Sequence, residues 1–189
     1  MNWFSNLFKK NTVGKSPANK SESEWQIYIN YAAGQQKFFN EDWKNALYYF
    51  DRSIENGHYK DDIFEFRGTC LQALGYDCDA IKDFDKAIFL FPTNCNLYYF
   101  RSISKQIIGD YEGAISDIKK AIELSKIDNN LNKIYNENAI KNGFKNGVVG
   151  MYEIALYGAK SKLENDIREF EKNFCYDQIS KDDGNCNLR

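Results

Sequence analysis

Small and apolar residues recur along this chain at a fixed spacing of 34 residues. Ala46, Ala80 and Ala114 are 34 residues apart, and they open the similar strings AlaLeuTyrTyrPhe, AlaIleLysAspPhe and AlaIleSerAspIle. The same spacing separates two further sets of small residues: Gly34, Gly68 and Ser102, and Gly75, Gly109 and Gly143. Agreement at several independent positions predicts a chain built from one repeated unit.

The register of this repeat sets where the helices of the chain are expected. Pro92 ends the second unit, since proline cannot continue the helical hydrogen-bond ladder. The last predicted helix carries a strongly charged stretch from Lys160, which is typical of the polar cap at an open end of a repeat array. The predicted helices cover residues 25–40, 43–56, 61–74, 77–90, 95–108, 111–125, 130–142 and 147–174.

A period of 34 residues, with small residues at fixed places and an aromatic near the middle, resembles the tetratricopeptide repeat. The resemblance implies an all-α fold, a right-handed superhelical α-solenoid of tandem helix–turn–helix repeats with a C-terminal capping helix. The fourth unit is degenerate, with Val148 where the others have alanine. The predicted parts are a leader and tether (1–24), repeats (27–60, 61–94, 95–128 and 129–162), a cap (163–174) and a polar tail (175–189).

In this family the first helix of every unit lines a concave surface that usually binds peptides. The resemblance therefore implies a groove in which tyrosine rings supply contact area and amides bond the main chain of a partner. The alternative is that the groove holds the N-terminal segment of its own chain or faces water. The implied lining residues are Tyr28, Tyr31, Gln35, Phe38, Asp62, Glu65, Thr69, Gln72, Asn96, Tyr99, Ile103 and Gln106.

One subclass of the family clamps the C-terminal carboxylate of the major heat-shock chaperones with Lys, Asn and Arg side chains. Every matching position of this chain departs from that pattern, so a carboxylate would find no cation there. Binding of chaperone tails is therefore not expected. The residues at those positions are Tyr31, Gln35, Phe66, Asn96 and Phe100.

The leader is apolar on one side and basic at its end. Its ten residues predict a weak interfacial membrane anchor, with rings in the headgroup layer and lysines on anionic lipid. Alternatively, these side chains fold back onto the solenoid or stay disordered. The stretch 11–24 then reads as a flexible tether. The predicted membrane contacts are Trp3, Phe4, Leu7, Phe8, Lys9 and Lys10.

Charge and composition narrow the function. The 189 residues include 25 basic and 27 acidic side chains, a balance that does not suit electrostatic binding of nucleic acid. Residues 1–20 hold four lysines and no acid, so the leader is near +4 and the remainder near −6. A single histidine and five cysteines without a CxxC pair predict no metal site, and no cofactor motif is present.

No nucleophile–base motif is visible, so the chain is not expected to be an enzyme. Unpaired cysteines and the lack of an export signal favour a cytoplasmic location. The composition, rich in Asn, Lys and Ile, favours a bacterial source. We therefore expect a protein–protein interaction module that binds a peptide or helix of a partner in its concave groove. Two alternatives stay open: a membrane-tethered assembly factor anchored by residues 1–10, and a small cytosolic secretion-type chaperone. The partner and the oligomeric state are not determined by the sequence.

Overall fold

The computed structural model describes residues 22–59, 62–127 and 130–182, and all regular structure in these ranges is helical. Each predicted helix is present, with bounds that differ by at most a few residues at all but the last C-terminus. None of the described helices is both long enough and apolar enough to cross a membrane. The helices are α1 (Glu22–Phe39), α2 (Trp43–Glu55), α3 (Ile63–Ala73), α4 (Asp77–Leu90), α5 (Cys95–Ile107), α6 (Tyr111–Ser125), α7 (Asn130–Lys141) and α8 (Gly147–Asp182).

The turn inside each unit has a recurrent geometry. Gly75, Gly109 and Gly143 follow the first helices of units two, three and four and have φ of 82°, 85° and 94°. A residue with φ in this region reverses the chain and lets the next N–H bond a carbonyl of the last turn. The matching position of unit one is Glu41, a non-glycine residue with φ of 60°.

Successive helices pack as antiparallel pairs, α1 with α2, α3 with α4 and α5 with α6, and each pair packs on the next. The backbones approach where a glycine faces an aromatic ring. A Cβ added to Gly34 would lie 2.6 Å from Phe50, and one added to Gly68 would lie 3.0 Å from Phe84. Phe50 stacks in turn on Phe66 of the next unit, so the core continues from unit to unit.

An arginine on the first helix of a unit joins two second helices. Arg67 donates to both carboxylate oxygens of Asp83 at 2.6 and 2.7 Å, and to Asp51 of the preceding unit at 2.9 Å. One period later the same contacts recur in the set Arg101, Asp117 and Asp85. Because Asp83 and Asp117 are almost fully buried, these charges stabilise the fold only as pairs.

The fourth unit departs from this arrangement. The long helix α8 packs along α6, where regular stacking would put α7. The start of α7 is instead held at the end of α6, because Asn132 Nδ2 donates to the carbonyls of Leu124 and Ile127 at 2.9 and 2.7 Å. The Arg and Asp positions of the ion-pair set hold Tyr135 and Met151 here, so that link is missing.

Helix α8 runs without a break through the predicted cap and ends at Asp182. The expected tail from residue 175 therefore begins inside a helix. The side chains of α8 are exposed from Glu164 to Lys172, which means that this half of the helix extends beyond the packed part of the array.

Candidate partner-binding groove

The first helices of the three regular units lie side by side, and we call their shared surface the inner face. The Tyr31 hydroxyl of α1 donates to the Asp62 carboxylate at the start of α3 and accepts from Gln35 Nε2 at 3.0 Å. The Tyr31 ring lies on the buried His58 ring, with centroids 4.7 Å apart. Tyr31 is therefore a fixed, half-buried part of the wall.

Gln72 joins α3 to α5 on the same face. Its Nε2 donates to the Phe100 carbonyl at 2.9 Å and to Ser104 Oγ at 2.7 Å. The Oε1 of Gln72 is buried and has no hydrogen-bond partner among the described residues. A buried acceptor without a partner costs free energy, so a hydrogen bond from any donor that reached it would be favourable. The half-buried side chains of Ile103 and Gln106 continue the face along α5.

The other end of the inner face is closed by the fourth unit. Tyr152 of α8 donates to Asn96 Oδ1, and its ring lies 4.8 Å from the Tyr99 ring. Tyr135 of α7 is also buried, beside Asn96 and close enough to Glu65 for that carboxylate to act on its hydroxyl. The chain therefore fills this end with its own side chains.

Burial dominates the electrostatics of the closed end. It raises the pKa of Tyr99 to about 12 and also raises the pKa of Tyr135 and Tyr152. The three hydroxyls thus stay neutral at physiological pH. Among the described residues, no group of three or more His, Cys, Asp or Glu side chains could hold a metal ion.

No protein-family model matches the chain. Among solved structures, the chain resembles the type III secretion chaperone SycD of Yersinia enterocolitica in complex with a peptide of the translocator YopD. The TM-score is 0.57 at 19% identity, over 76% of this chain and 96% of that one. It also resembles the TPR domain of Arabidopsis OM64, with a TM-score of 0.51 at 18% identity, over 59% of this chain and 92% of that one. The chain has the tetratricopeptide-repeat fold.

A curated relative from rat is similar in sequence. It is DnaJ homolog subfamily C member 3, which is 24% identical over 185 residues, covering 87% of this chain and 36% of the relative. The chain therefore spans about a third of the length of that protein.

The tetratricopeptide resemblance assigned twelve positions to the groove, and the structure places them in three environments. Phe38 is fully buried, so its assignment to an open groove is wrong; its ring packs on Trp43 and Phe66 in the core. The second set, Glu65, Thr69, Asn96 and Tyr99, is buried, and Tyr152 of the fourth unit contacts Asn96 and Tyr99. The third set is half-buried and consists of Tyr28, Tyr31, Gln35, Asp62, Gln72, Ile103 and Gln106.

A tetratricopeptide pattern gives the position of a residue within its repeat, but it does not show which other parts of the chain pack over that residue. Some of the positions assigned to the groove are therefore buried. Sequence reasoning missed Tyr135 and Tyr152 as parts of the inner face. The sequence did contain a signal. Arginine recurs at positions 67 and 101 and aspartate at positions 83 and 117, but the fourth unit has Tyr135 and Met151 at the equivalent positions. The predicted membrane contacts Trp3, Phe4, Leu7, Phe8, Lys9 and Lys10 lie outside the described residues.

Proposed function

We propose that the chain is a non-catalytic interaction module that binds an extended or helical segment of a partner protein on its inner face. The observation that carries the proposal is the open row of half-buried amide, aromatic and aliphatic side chains on α1, α3 and α5. Support also comes from the shared fold, since SycD was solved with a peptide of YopD. The contact residues we propose are Tyr28, Tyr31, Gln35, Gln72, Ile103 and Gln106.

The binding mode follows from how the inner face is held. Tyr31 and Gln72 are fixed by hydrogen bonds before any ligand arrives, so little side-chain ordering is required on binding. Tyr135 and Tyr152 close one end, which limits a bound segment to the open part of the face.

Affinity purification of the full chain, read by mass spectrometry, tests this proposal. The double variant Tyr28→Ala/Gln106→Ala removes contact area from both ends of the open face. The matched control Tyr48→Ala/Glu112→Ala removes exposed side chains from α2 and α6. We expect partners that the control retains to be lost from the groove variant by about tenfold, as for truncation of an aromatic anchor. Equal recovery from both variants would contradict the proposal.

A secretion-type chaperone is the second candidate function. The chain shares its fold with SycD over 96% of that chain, and its acidic body suits a small cytoplasmic bacterial chaperone. The measurement is whether a single exported substrate co-purifies and stays soluble only when the chain is co-expressed. Recovery of several unrelated partners would instead favour a general scaffold.

Residues 1–10 carry the remaining proposal, peripheral contact with a membrane. Flotation with vesicles of phosphatidylcholine and phosphatidylglycerol compares the full chain with a chain lacking residues 1–20. Equal flotation of the two chains would remove the leader as an anchor.

A further inference from the structure

A second groove lies between the C-terminal ends of α2 and α4, and it shares no residue with the inner face. We call it the junction groove. Its volume is about 490 Å³, within the range of about 300–1,000 Å³ that is usual for binding pockets. The walls are mainly apolar and are formed by Ile54, Tyr59, Phe64, Phe89 and Leu90.

The apolar character of the junction groove is not a by-product of the repeat. Phe89 is 86% exposed, and the same phase in the neighbouring units holds Glu55 and Glu123. One period later, the positions that correspond to Asp85, Lys86 and Phe89 hold Lys119, Lys120 and Glu123. The junction of units one and two therefore carries an exposed apolar surface that the next junction lacks. An exposed apolar surface of this kind is typical of a site that another apolar group covers.

The start of the described chain lies next to this groove. Ser53, the neighbour of the groove residue Ile54, donates from Oγ to the Ile27 carbonyl of α1 at 3.2 Å. His58, the neighbour of the groove residue Tyr59, packs on Tyr31 of α1. From Ile27 back to the first described residue, Glu22, the helix spans only about 8 Å. The 21 preceding residues therefore leave the fold beside the junction groove.

The leader has the chemistry that the groove requires. Trp3, Phe4, Leu7 and Phe8 have the sequence spacing that one side of a helix requires, and they offer three rings and an aliphatic side chain. The connection from residue 9 to residue 21 has a typical end-to-end distance of about 20 Å as a flexible chain. That length is enough to fold the segment back onto the adjacent groove.

Charge also matches. The basic residues Lys9 and Lys10 directly follow the apolar segment. The groove lining includes the Asp85 carboxylate, whose side chain is 54% exposed although it pairs with Arg101. The cation of the groove wall, Lys86, already lies over the Phe64 ring at 5.1 Å from its centroid.

From these observations we infer that the segment Trp3–Phe8 docks in the junction groove of its own chain, with Lys9 and Lys10 near the partly exposed Asp85 carboxylate. Docking covers the exposed Phe89 ring and uses the same apolar side chains that a membrane would need. The leader is then an internal ligand of the solenoid, and the inner face stays open for a partner.

Photo-crosslinking of the full chain tests this docking. A benzophenone amino acid replaces Phe4, and irradiation is carried out with and without vesicles of phosphatidylcholine and phosphatidylglycerol. Isotope-labelled and unlabelled chains are mixed so that mass spectrometry separates crosslinks within a chain from those between copies. We expect crosslinks within one chain to residues 54–64 or 85–90.

Two matched variants make the result specific. Phe89→Glu installs the residue type of the neighbouring units at an exposed position, and it should lower the crosslink yield by about tenfold because an apolar contact is lost. Ile154→Glu makes the same change at a 66% exposed residue of α8, and it should leave the yield unchanged. Circular dichroism checks that both variants keep their helix content.

Several outcomes would overturn the inference. They are crosslinks to another part of the chain, crosslinks between copies, capture of lipid in place of protein, and an absence of crosslinks. An equal yield from the Phe89→Glu variant would overturn it as well. Crosslinks to the inner face would also mean that the leader competes for the site proposed for the partner. The other outcomes leave partner binding untouched, and the affinity purification tests it separately.

Discussion

At the scale of the residue, Glu41 adopts a backbone conformation that is unfavourable for any residue except glycine. Gly75, Gly109 and Gly143 end the first helices of their units with positive φ, and glycine adopts this region without a steric penalty. In unit one, Glu41 adopts φ of 60° and so carries a Cβ where the other units have none. The turn still forms, since the Asp42 N–H donates to the Lys37 carbonyl at 3.0 Å.

Replacement of Glu41 by glycine should therefore stabilise the fold. The left-handed conformation costs a non-glycine residue about 1–2 kcal/mol, while the added freedom of glycine in the unfolded chain costs about 0.4–1 kcal/mol. We expect Glu41→Gly to raise the free energy of unfolding by about 0.5–1 kcal/mol, measured by urea denaturation. Gly75→Glu should lower it by a similar amount; a loss of stability in Glu41→Gly would contradict this account.

The buried ion pairs make a second prediction at the residue scale. Asp83 is 2% exposed and accepts two hydrogen bonds from Arg67, so its loss leaves a half-buried cation without its main partner. Asp83→Asn should lower the free energy of unfolding by about 3 kcal/mol. Asp79→Asn is the matched control, because its pair with Lys82 is exposed and should contribute little to stability. Similar losses from both variants would mean that burial does not set the strength of these pairs.

At the scale of the element, pairs of facing residues set how closely two helices approach. Gly34 faces Phe50 and Gly68 faces Phe84, whereas the third unit has Ser102 and Ile118 at the same two phases. A larger residue on the first helix thus coincides with a smaller one on the second. The 34-residue spacing identifies the small residues of the first helices, but it does not show that their partners on the second helices change with them.

A double-mutant cycle measures this compensation. Gly34→Ala places a Cβ 2.6 Å from Phe50 and should cost about 1–3 kcal/mol, reduced by about 1 kcal/mol of helix propensity. Phe50→Ile alone leaves space and loses its stack on Phe66. Because alanine and isoleucine fit together, the double variant should be more stable than the sum of the two changes by about 1 kcal/mol, measured by thermal and urea unfolding. Additive changes would show that the crossing is not set by this pair.

The fourth unit shows which part of the fold the sequence pattern could not predict. The bounds of α7 agree with the prediction, because helix ends depend on local residues such as Gly143. Its position does not follow from the pattern, because it depends on which long-range contacts form. Without an arginine at Tyr135 and an aspartate at Met151, the ion pairs that align regular units are absent, and α8 packs on α6 instead.

At the scale of the whole molecule, the fourth unit ties the array together. Tyr152 of α8 contacts Asn96 and Tyr99 of α5, and Tyr135 of α7 reaches the neighbourhood of Glu65 on α3. In a simple solenoid each unit touches only its neighbours, so stability adds from unit to unit and the ends can unfold first. The buried contacts of unit four with α5 make separate unfolding of the C-terminal end less favourable.

Unfolding by urea should therefore be a single transition along the array. Tryptophan fluorescence reports on Trp25 of α1 and Trp43 of α2 together with Trp3 of the leader, whereas far-ultraviolet circular dichroism reports on all helices. We expect the two midpoints to coincide in the natural chain, as in two-state unfolding.

Tyr152→Ala removes the fully buried ring that holds unit four, at a cost of about 3–5 kcal/mol. Helix content should then be lost at lower urea than the fluorescence signal. Tyr157→Ala, a 78% exposed residue of the same helix, should leave the two midpoints together. If the signals already separate in the natural chain, the fourth unit folds independently, and the closed end of the inner face is free to open.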